Sequence, residues 1–226
     1  MKIITGASKG IGKYLLEKYM NLGETVYGTF LSTDPSPEFH NCYSKVDVSN
    51  YQEVVGWINS IPLTNKVELI NCAAINCNSF AHKAEPDKWE KTILINLVGT
   101  FNVIHALLPW MRKNSYGRII NFSSIVGLSG IPGTSAYATS KAGLMGLTKA
   151  LVAENGSKGI TINNLNLGYF QIGMGEDLAP ELRSMIKEKI PSHEFGNPET
   201  IYNAVNFLIE NSYVNGANLD INGGLS

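Results

Sequence analysis

A tyrosine and a lysine four residues apart, in Tyr137-Ala138-Thr139-Ser140-Lys141, are the residues of this chain best suited to move a proton. On a helix that spacing puts both side chains on one face. A free phenol titrates near pH 10 and is a poor proton donor or acceptor at neutrality. A fixed ammonium beside it favours the phenolate, which suits the pair to acid–base work on an alcohol or a carbonyl. Thirteen residues before Tyr137 stands Ser124, at the end of Ile119-Ile120-Asn121-Phe122-Ser123-Ser124. Its hydroxyl can hold a carbonyl oxygen while Tyr137 protonates it. Each feature is ambiguous alone. Tyr-x-x-x-Lys also arises as a half-buried tyrosine beside a surface lysine, and a serine at a strand end is commonly turn chemistry.

A second group of residues is suited to hold phosphate. Thr5-Gly6-Ala7-Ser8-Lys9-Gly10-Ile11-Gly12 follows an apolar run and opens a helical pattern. Gly6, Gly10 and Gly12 permit positive φ and let backbone approach a pyrophosphate, which the N–H groups at the helix start, around Ser8 to Ile11, then hold. The strand–turn–helix context is the one such a fingerprint requires. Charge then bears on which dinucleotide. An acid at the end of the second strand would bind the adenosine ribose and repel a 2′-phosphate. Here Val26-Tyr27-Gly28-Thr29-Phe30-Leu31 carries none, and Lys9, helped by Ser8 and Thr29, is placed to meet that phosphate. NADP(H) is therefore favoured. Asp34, a few residues on, keeps NAD(H) open, and Lys9 and Asp34 are equally readable as solvated surface charges.

The elements that must position these groups alternate. Strands are expected at Lys2–Thr5, Thr25–Thr29, Asn41–Val46, Val67–Asn71, Gly117–Phe122, Thr161–Leu165 and Asn218–Ile221. Helices are expected at Ile11–Asn21, Tyr51–Ser60, Asp87–Arg112, Ser135–Asn155, Pro180–Lys189 and Pro198–Glu210. That alternation predicts an α/β fold: one Rossmann-like, doubly wound parallel sheet with helices on both faces, its ligand beyond the carboxyl ends of the strands. At 226 residues and 44% hydrophobic the chain suits a single domain, residues 1–226. A net charge of −1 argues against a nucleic-acid partner. Three cysteines without a Cys-x-x-Cys pair argue against a disulfide framework or zinc site, and no metal is expected. With no signal-like start and no apolar run of membrane-spanning length, a cytoplasmic protein without a membrane partner is expected.

Taken in order, the Thr5–Gly12 turn, Asp47-Val48, Asn96, Ser124, Tyr137, Lys141 and the terminal Asn222-Gly223-Gly224 resemble the short-chain dehydrogenase/reductase family over essentially the whole chain. The branch most similar is that of 3-oxoacyl-acyl-carrier-protein reductases. The resemblance implies hydride transfer between a nicotinamide and a carbonyl or secondary alcohol. It implies Tyr137 as acid/base, Ser124 as the group that orients the carbonyl, and Lys141 as the residue that lowers the Tyr137 pKa and binds the nicotinamide ribose. Asn96 would hold a water linking Lys141 to solvent; read as a residue alone, it merely bends or decorates a helix. Asp47 would bind the adenine amino group and Val48 would pack on the ring. Asn71, Ala73, Gly168 and Ile172 complete the expected cofactor contacts, and a homo-oligomer, dimer or tetramer, is implied, with contact faces on the long helices around Asn96 and Tyr137.

Two motifs depart from that family. Asn-Asn-Ala-Gly reads here as Asn71-Cys72-Ala73-Ala74, with Cys72 best read as a small buried hydrophobe. The Pro-Gly segment with its later threonine reads as Leu167-Gly168-Tyr169-Phe170-Gln171-Ile172, so one cofactor hydrogen bond is missing or comes from elsewhere, Gln171 being a candidate. These changes motivate a second reading, a non-catalytic dinucleotide-binding or sensing protein. A third, a sugar epimerase or dehydratase, wants a larger C-terminal substrate domain than the residues after Lys141 allow. Residues 173–195, with Gly173, Gly175, Leu182, Met185 and Ile186, are expected to form a substrate lid. Met174, Leu178 and Ile131 suit an acyl or alicyclic carbonyl, and the substrate is expected to be a small molecule or an acyl thioester.

Overall fold

Short runs of isoleucine, valine and leucine become seven parallel strands. The computed structural model describes residues 1–173 and 178–225, so Met174 and Gly175 of the expected lid lie outside the described residues. The strands are β1 (Lys2–Thr5), β2 (Val26–Phe30), β3 (Tyr43–Lys45), β4 (Glu68–Asn71), β5 (Gly117–Ser124), β6 (Ile160–Leu167) and β7 (Asn218–Ile221). They pair in the order β3-β2-β1-β4-β5-β6-β7. The helices are α1 (Gly10–Asn21), α2 (Tyr51–Ser60), α3 (Pro86–Ile93), α4 (Gly99–Lys113), α5 (Ser135–Asn155), α6 (Pro180–Lys189) and α7 (Pro198–Glu210). Strand order reverses between β1 and β4, which opens the crevice where α/β sheets bind ligands.

Alternate residues of each strand feed two cores, as the strand period of two requires. Ile3, Leu69, Ile119 and Ile162 stand side by side in register and pack under α2, α4 and α5. Ile4, Ile70 and Ile120 point the other way, against Leu15, Leu16 and Tyr19 of α1 and Ile201, Val205 and Leu208 of α7. The doubly wound sheet read from the sequence is therefore what forms.

The starts of α1 and β4, the end of β5 and both ends of β6 shift by one or two residues from expectation, and three further elements differ. β2 starts and ends one residue later. The expected strand from Asn41 is instead a 3₁₀ segment, Pro37–Cys42, followed by three residues of β3; proline at its start favours the turn over a strand. The expected helix Asp87–Arg112 is α3, a π-helical turn over Leu94–Val98, and α4 in succession. By length and composition Pro86–Lys113 passes as a membrane span, yet half of its apolar stretch is buried within the protein, as in a core helix.

Candidate active site

β5 carries Ser124 to the carboxyl edge of the sheet, and α5 returns across it carrying Tyr137 and Lys141. Lys141 is 4% exposed and Ser124 7% exposed. The Lys141 ammonium donates to the Phe122 carbonyl at 2.6 Å and stands 5.4 Å from the centroid of the Tyr137 ring. The Tyr137 phenol faces the Ser124 hydroxyl, which favours its ionised form. That hydroxyl accepts from the Val126 N–H at 3.2 Å and reaches the Leu167 carbonyl at 3.5 Å. The three groups that the sequence proposes for proton chemistry thus converge.

Their electrostatics differ from the expectation that Lys141 lowers the Tyr137 pKa. Burial pushes the phenol up to about 12, the nearby Tyr169 phenol acts in the same direction, and the Ser124 hydroxyl pulls against both. Burial pushes Lys141 down, to about 8. Desolvation disfavours phenolate and ammonium alike, so each group is held toward its neutral form.

Asn96 sits at the middle of the π turn and is fully buried. Its Oδ1 accepts from the Ile75 N–H at 2.8 Å, and its Nδ2 donates to the Ile75 carbonyl at 2.9 Å and to the Ser140 hydroxyl at 3.1 Å. The wide turn swings this amide inward, where it staples the segment after β4 to α5, next to Lys141. Such turns recur at functional sites. Asn96 therefore does more than decorate a helix.

The glycine turn is built as a cradle. Gly6 has φ +63°, and a Cβ there would lie 2.6 Å from the Ala73 Cα; one at Gly12 would lie 2.4 Å from the Gly6 carbonyl. Thr5 Oγ1 accepts from the N–H groups of both Cys72 and Ala73, at 3.1 and 3.2 Å, which ties the altered motif to the turn. Thr29 is 1% exposed and its Oγ1 accepts from the Gly6 N–H, so it supports the turn from below. Lys9 is exposed at the start of α1, caps nothing, and no acid occupies the first turn. Ser8 is buried, Gly10 has φ +53°, and Ile11 is half-buried against the core of α1 and α7.

The remaining expected cofactor residues spread along the same crevice. Asp47 Oδ1 accepts from the Ser49 backbone and hydroxyl, while Val48 is buried against Gly99. Asn71 donates to Asn121 Oδ1, and its own buried Oδ1 has no hydrogen-bond partner among the described residues. A Cβ on Gly168 would lie 2.8 Å from Asn222 Cα, so Asn222 packs against this turn, while Gly223 and Gly224 lie against Ile190, Pro191 and Ser192. Ile172 packs into the core of α1 and α7, and Gln171 Nε2 donates to the Phe195 carbonyl at 3.4 Å. Burial pushes the Cys72 thiol up, as fits an inert small hydrophobe.

This geometry has known counterparts. The model of the short chain dehydrogenase family matches residues 1–183. The chain belongs to the short-chain dehydrogenase family. Among its relatives, the 3-oxoacyl-[acyl-carrier-protein] reductase FabG of Rickettsia felis is 35% identical, covering 99% of this chain and 95% of the relative. The acetoacetyl-CoA reductase of Rhizobium meliloti is 34% identical over 98% and 96%. A crystal structure of the 3-oxoacyl-[acyl-carrier protein] reductase of Brucella melitensis superposes with a TM-score of 0.89 at 28% identity, covering 99% of this chain and 90% of that one. This short-chain dehydrogenase is accordingly an oxidoreductase with a Rossmann-like sheet, and its family uses a nicotinamide dinucleotide. The non-catalytic reading finds no support.

Sequence reasoning missed several members of this short-chain dehydrogenase site: Thr5, Ile75, Ser140, and Tyr169 beside Tyr137. Thr5 heads the glycine motif but was given no role of its own there, and Ile75 acts through its backbone and carries no sequence signal. Ser140 was inside the Tyr-x-x-x-Lys motif, and Tyr169 followed Gly168, so both lay in view without a stated role.

Proposed function

We propose that this chain reduces the ketone of a 3-oxoacyl thioester to the hydroxyl, using NADPH, with the whole chain acting as one cofactor-binding and catalytic unit in the cytoplasm. The observation that carries the reading is the convergence of Ser124, Tyr137 and Lys141 at the carboxyl edge of the sheet, beside the glycine cradle. Full-length similarity to two kinds of thioester reductase supports the substrate class.

The chain's residues suit a dinucleotide. Gly6 and Gly12 keep Cβ atoms out of the cradle, the α1 N-terminus is uncapped, and Asn71 offers a spare buried acceptor. Gly6, Ser8, Gly10, Ile11 and Gly12 would hold the pyrophosphate and Lys9 a 2′-phosphate. Asp47 and Val48 would take the adenine, and Asn71, Ala73, Lys141, Gly168 and the Ile172 backbone the nicotinamide half. Bound there, the cofactor supplies hydride to the carbonyl carbon. Ser124 hydrogen-bonds the carbonyl oxygen and polarises it. Tyr137 gives that oxygen its proton, and Lys141, in its ammonium form, offsets the phenolate left behind. Asn96 keeps the proton path to Lys141 in place.

Leu182 and Met185 of α6 are exposed and offer an apolar cover for an acyl chain. A cleft of about 390 Å³, lined by Ser79, Lys83, Trp89, Ser135 and the Lys88–Glu85 ion pair among others, lies two residues from Tyr137 and offers room for a thioester carrier. Leu94, Val98 and Phe101 form an exposed apolar stripe across the π turn and α4, which suits contact with a second copy.

The test is an NADPH- and NADH-oxidation assay against acyl-thioester, quinone, sugar and steroid ketones, with Tyr137→Phe as control. Turnover of 3-oxoacyl thioesters with NADPH, lost by about 10²–10⁴-fold in Tyr137→Phe, is expected. Activity on none of them, or full activity in the variant, sinks the proposal.

A further inference from the structure

A row of polar side chains crosses the buried sheet where apolar ones are expected. Thr5, Asn71, Asn121, Asn164 and Asn218 are register neighbours on β1, β4, β5, β6 and β7. They share the face that Ile3, Leu69, Ile119 and Ile162 line one pleat earlier. Strands buried on both sides normally read as continuous hydrophobic runs. Three of these amides, Asn71, Asn121 and Asn164, are buried, an exception with a large desolvation penalty unless they are paired.

Asn164 is fully buried and every polar atom of its side chain is paired. Its Oδ1 accepts from the Thr148 hydroxyl at 2.9 Å and from Asn121 Nδ2 at 3.3 Å. Its Nδ2 donates to Asn218 Oδ1 at 2.7 Å and reaches the Leu144 carbonyl at 3.5 Å. Asn121 Nδ2 also donates to the Thr148 hydroxyl at 3.2 Å. Thr148 and Leu144 belong to α5. One turn away, Ser123 donates to the Lys141 carbonyl at 3.0 Å and Lys141 to the Phe122 carbonyl.

Positions 137, 141, 144 and 148 form one stripe of α5 at helical spacing. The polar bonds along it join the helix to β5 and β6 at three levels. Apolar contacts alone tolerate small slides of a helix over a sheet, whereas directional bonds to fixed amides define one position. The distance between Ser124, on β5, and Tyr137, on α5, depends on that position. A misplacement of about 1 Å can cost on the order of 10²-fold in rate.

We infer that Asn164 and Thr148, with Asn121 between them, are positioning residues that fix α5 along the sheet and so set the Ser124–Tyr137 geometry from about 10 Å behind the reaction centre. The anchor touches neither substrate nor cofactor. The inference rests on the reductase reading for its kinetic consequence but not for its geometry.

The test uses the full chain with Thr148→Val, Thr148→Ser, and Ser123→Ala as a second and milder loosening of α5, each checked for folding by circular dichroism. With a 3-oxoacyl thioester and NADPH, Thr148→Val should lower kcat at least tenfold while KM for NADPH stays within twofold. Thr148→Ser should recover to within twofold of wild type, and Ser123→Ala should fall between. Crystal structures of wild type and Thr148→Val should differ in the Ser124 Oγ–Tyr137 Oη distance. A folded Thr148→Val or Ser123→Ala with wild-type kcat and an unchanged distance overturns the inference. If wild-type protein turns over no thioester, the substrate reading fails and the crystal distance alone decides the positioning role.

Discussion

Replacing Lys141 by methionine is expected to destroy activity and to stabilise the fold. The lysine is 4% exposed, and burial pushes its pKa from 10.5 down to about 8. At 1.36 kcal/mol per unit this is a penalty on the buried ammonium of about 3 kcal/mol. The sign follows from proton counts. Between about 8 and 10.5 the unfolded chain binds the proton that the folded chain has released, so wild-type stability rises with pH across that window. Below it both states are charged and the full penalty stands. Lys141→Met keeps an unbranched side chain and removes the charge, while losing the hydrogen bond to Phe122, worth about 1–3 kcal/mol. A net gain of up to about 2 kcal/mol at pH 7 is expected, or up to about 8 °C in Tm for a chain of this size. The gain should shrink toward pH 10. Urea unfolding of both proteins at pH 7, 8.5 and 10, followed by tryptophan fluorescence, measures it. A variant less stable than wild type at pH 7, or a difference that does not change with pH, refutes the argument.

Three further outcomes follow from the same site. Gly6→Ala forces a Cβ to within 2.6 Å of Ala73 at φ +63°, and should destabilise the protein by about 1–3 kcal/mol and weaken NADPH binding, read by thermal melts with and without cofactor. Lys9→Glu should shift the NADPH-to-NADH preference by roughly tenfold or more toward NADH, read as a ratio of kcat/KM, with little change in Tm because Lys9 is exposed. In the reductive direction Tyr137, pushed up to about 12, stays protonated through the neutral range, so Lys141 is the first of the pair to titrate. kcat for reduction should fall as pH rises through about 8, and a profile flat from pH 7 to 10 argues against that assignment.

The parts of this protein that the amino-acid sequence made legible are those whose cause is local. Apolar runs of four to eight residues between glycines specify strands whatever lies beside them, and a glycine turn before a helix has few other uses. Tyr137 and Lys141 were readable because helical spacing alone puts them together. The parts that stayed hidden depend on what stands opposite. Whether the Tyr137 pKa falls or rises depends on how deeply α5 is packed, and burial outweighs the help of Ser124. The π turn at Asn96 exists because Ile75 and Ser140 are both there to bond its amide, and neither is predictable from Asp87–Arg112 as a periodic pattern. The asparagines of β5 and β6 did leave a trace, since Ile160-Thr161-Ile162-Asn163-Asn164-Leu165-Asn166-Leu167 is a fully buried strand with three amides in it. A chain that needed only a core would place valine or isoleucine at position 164, as it does at 162. Paired amides at that depth contribute direction where an apolar side chain contributes only attraction. An active site whose acid and whose carbonyl-binding hydroxyl sit on different elements depends on that direction.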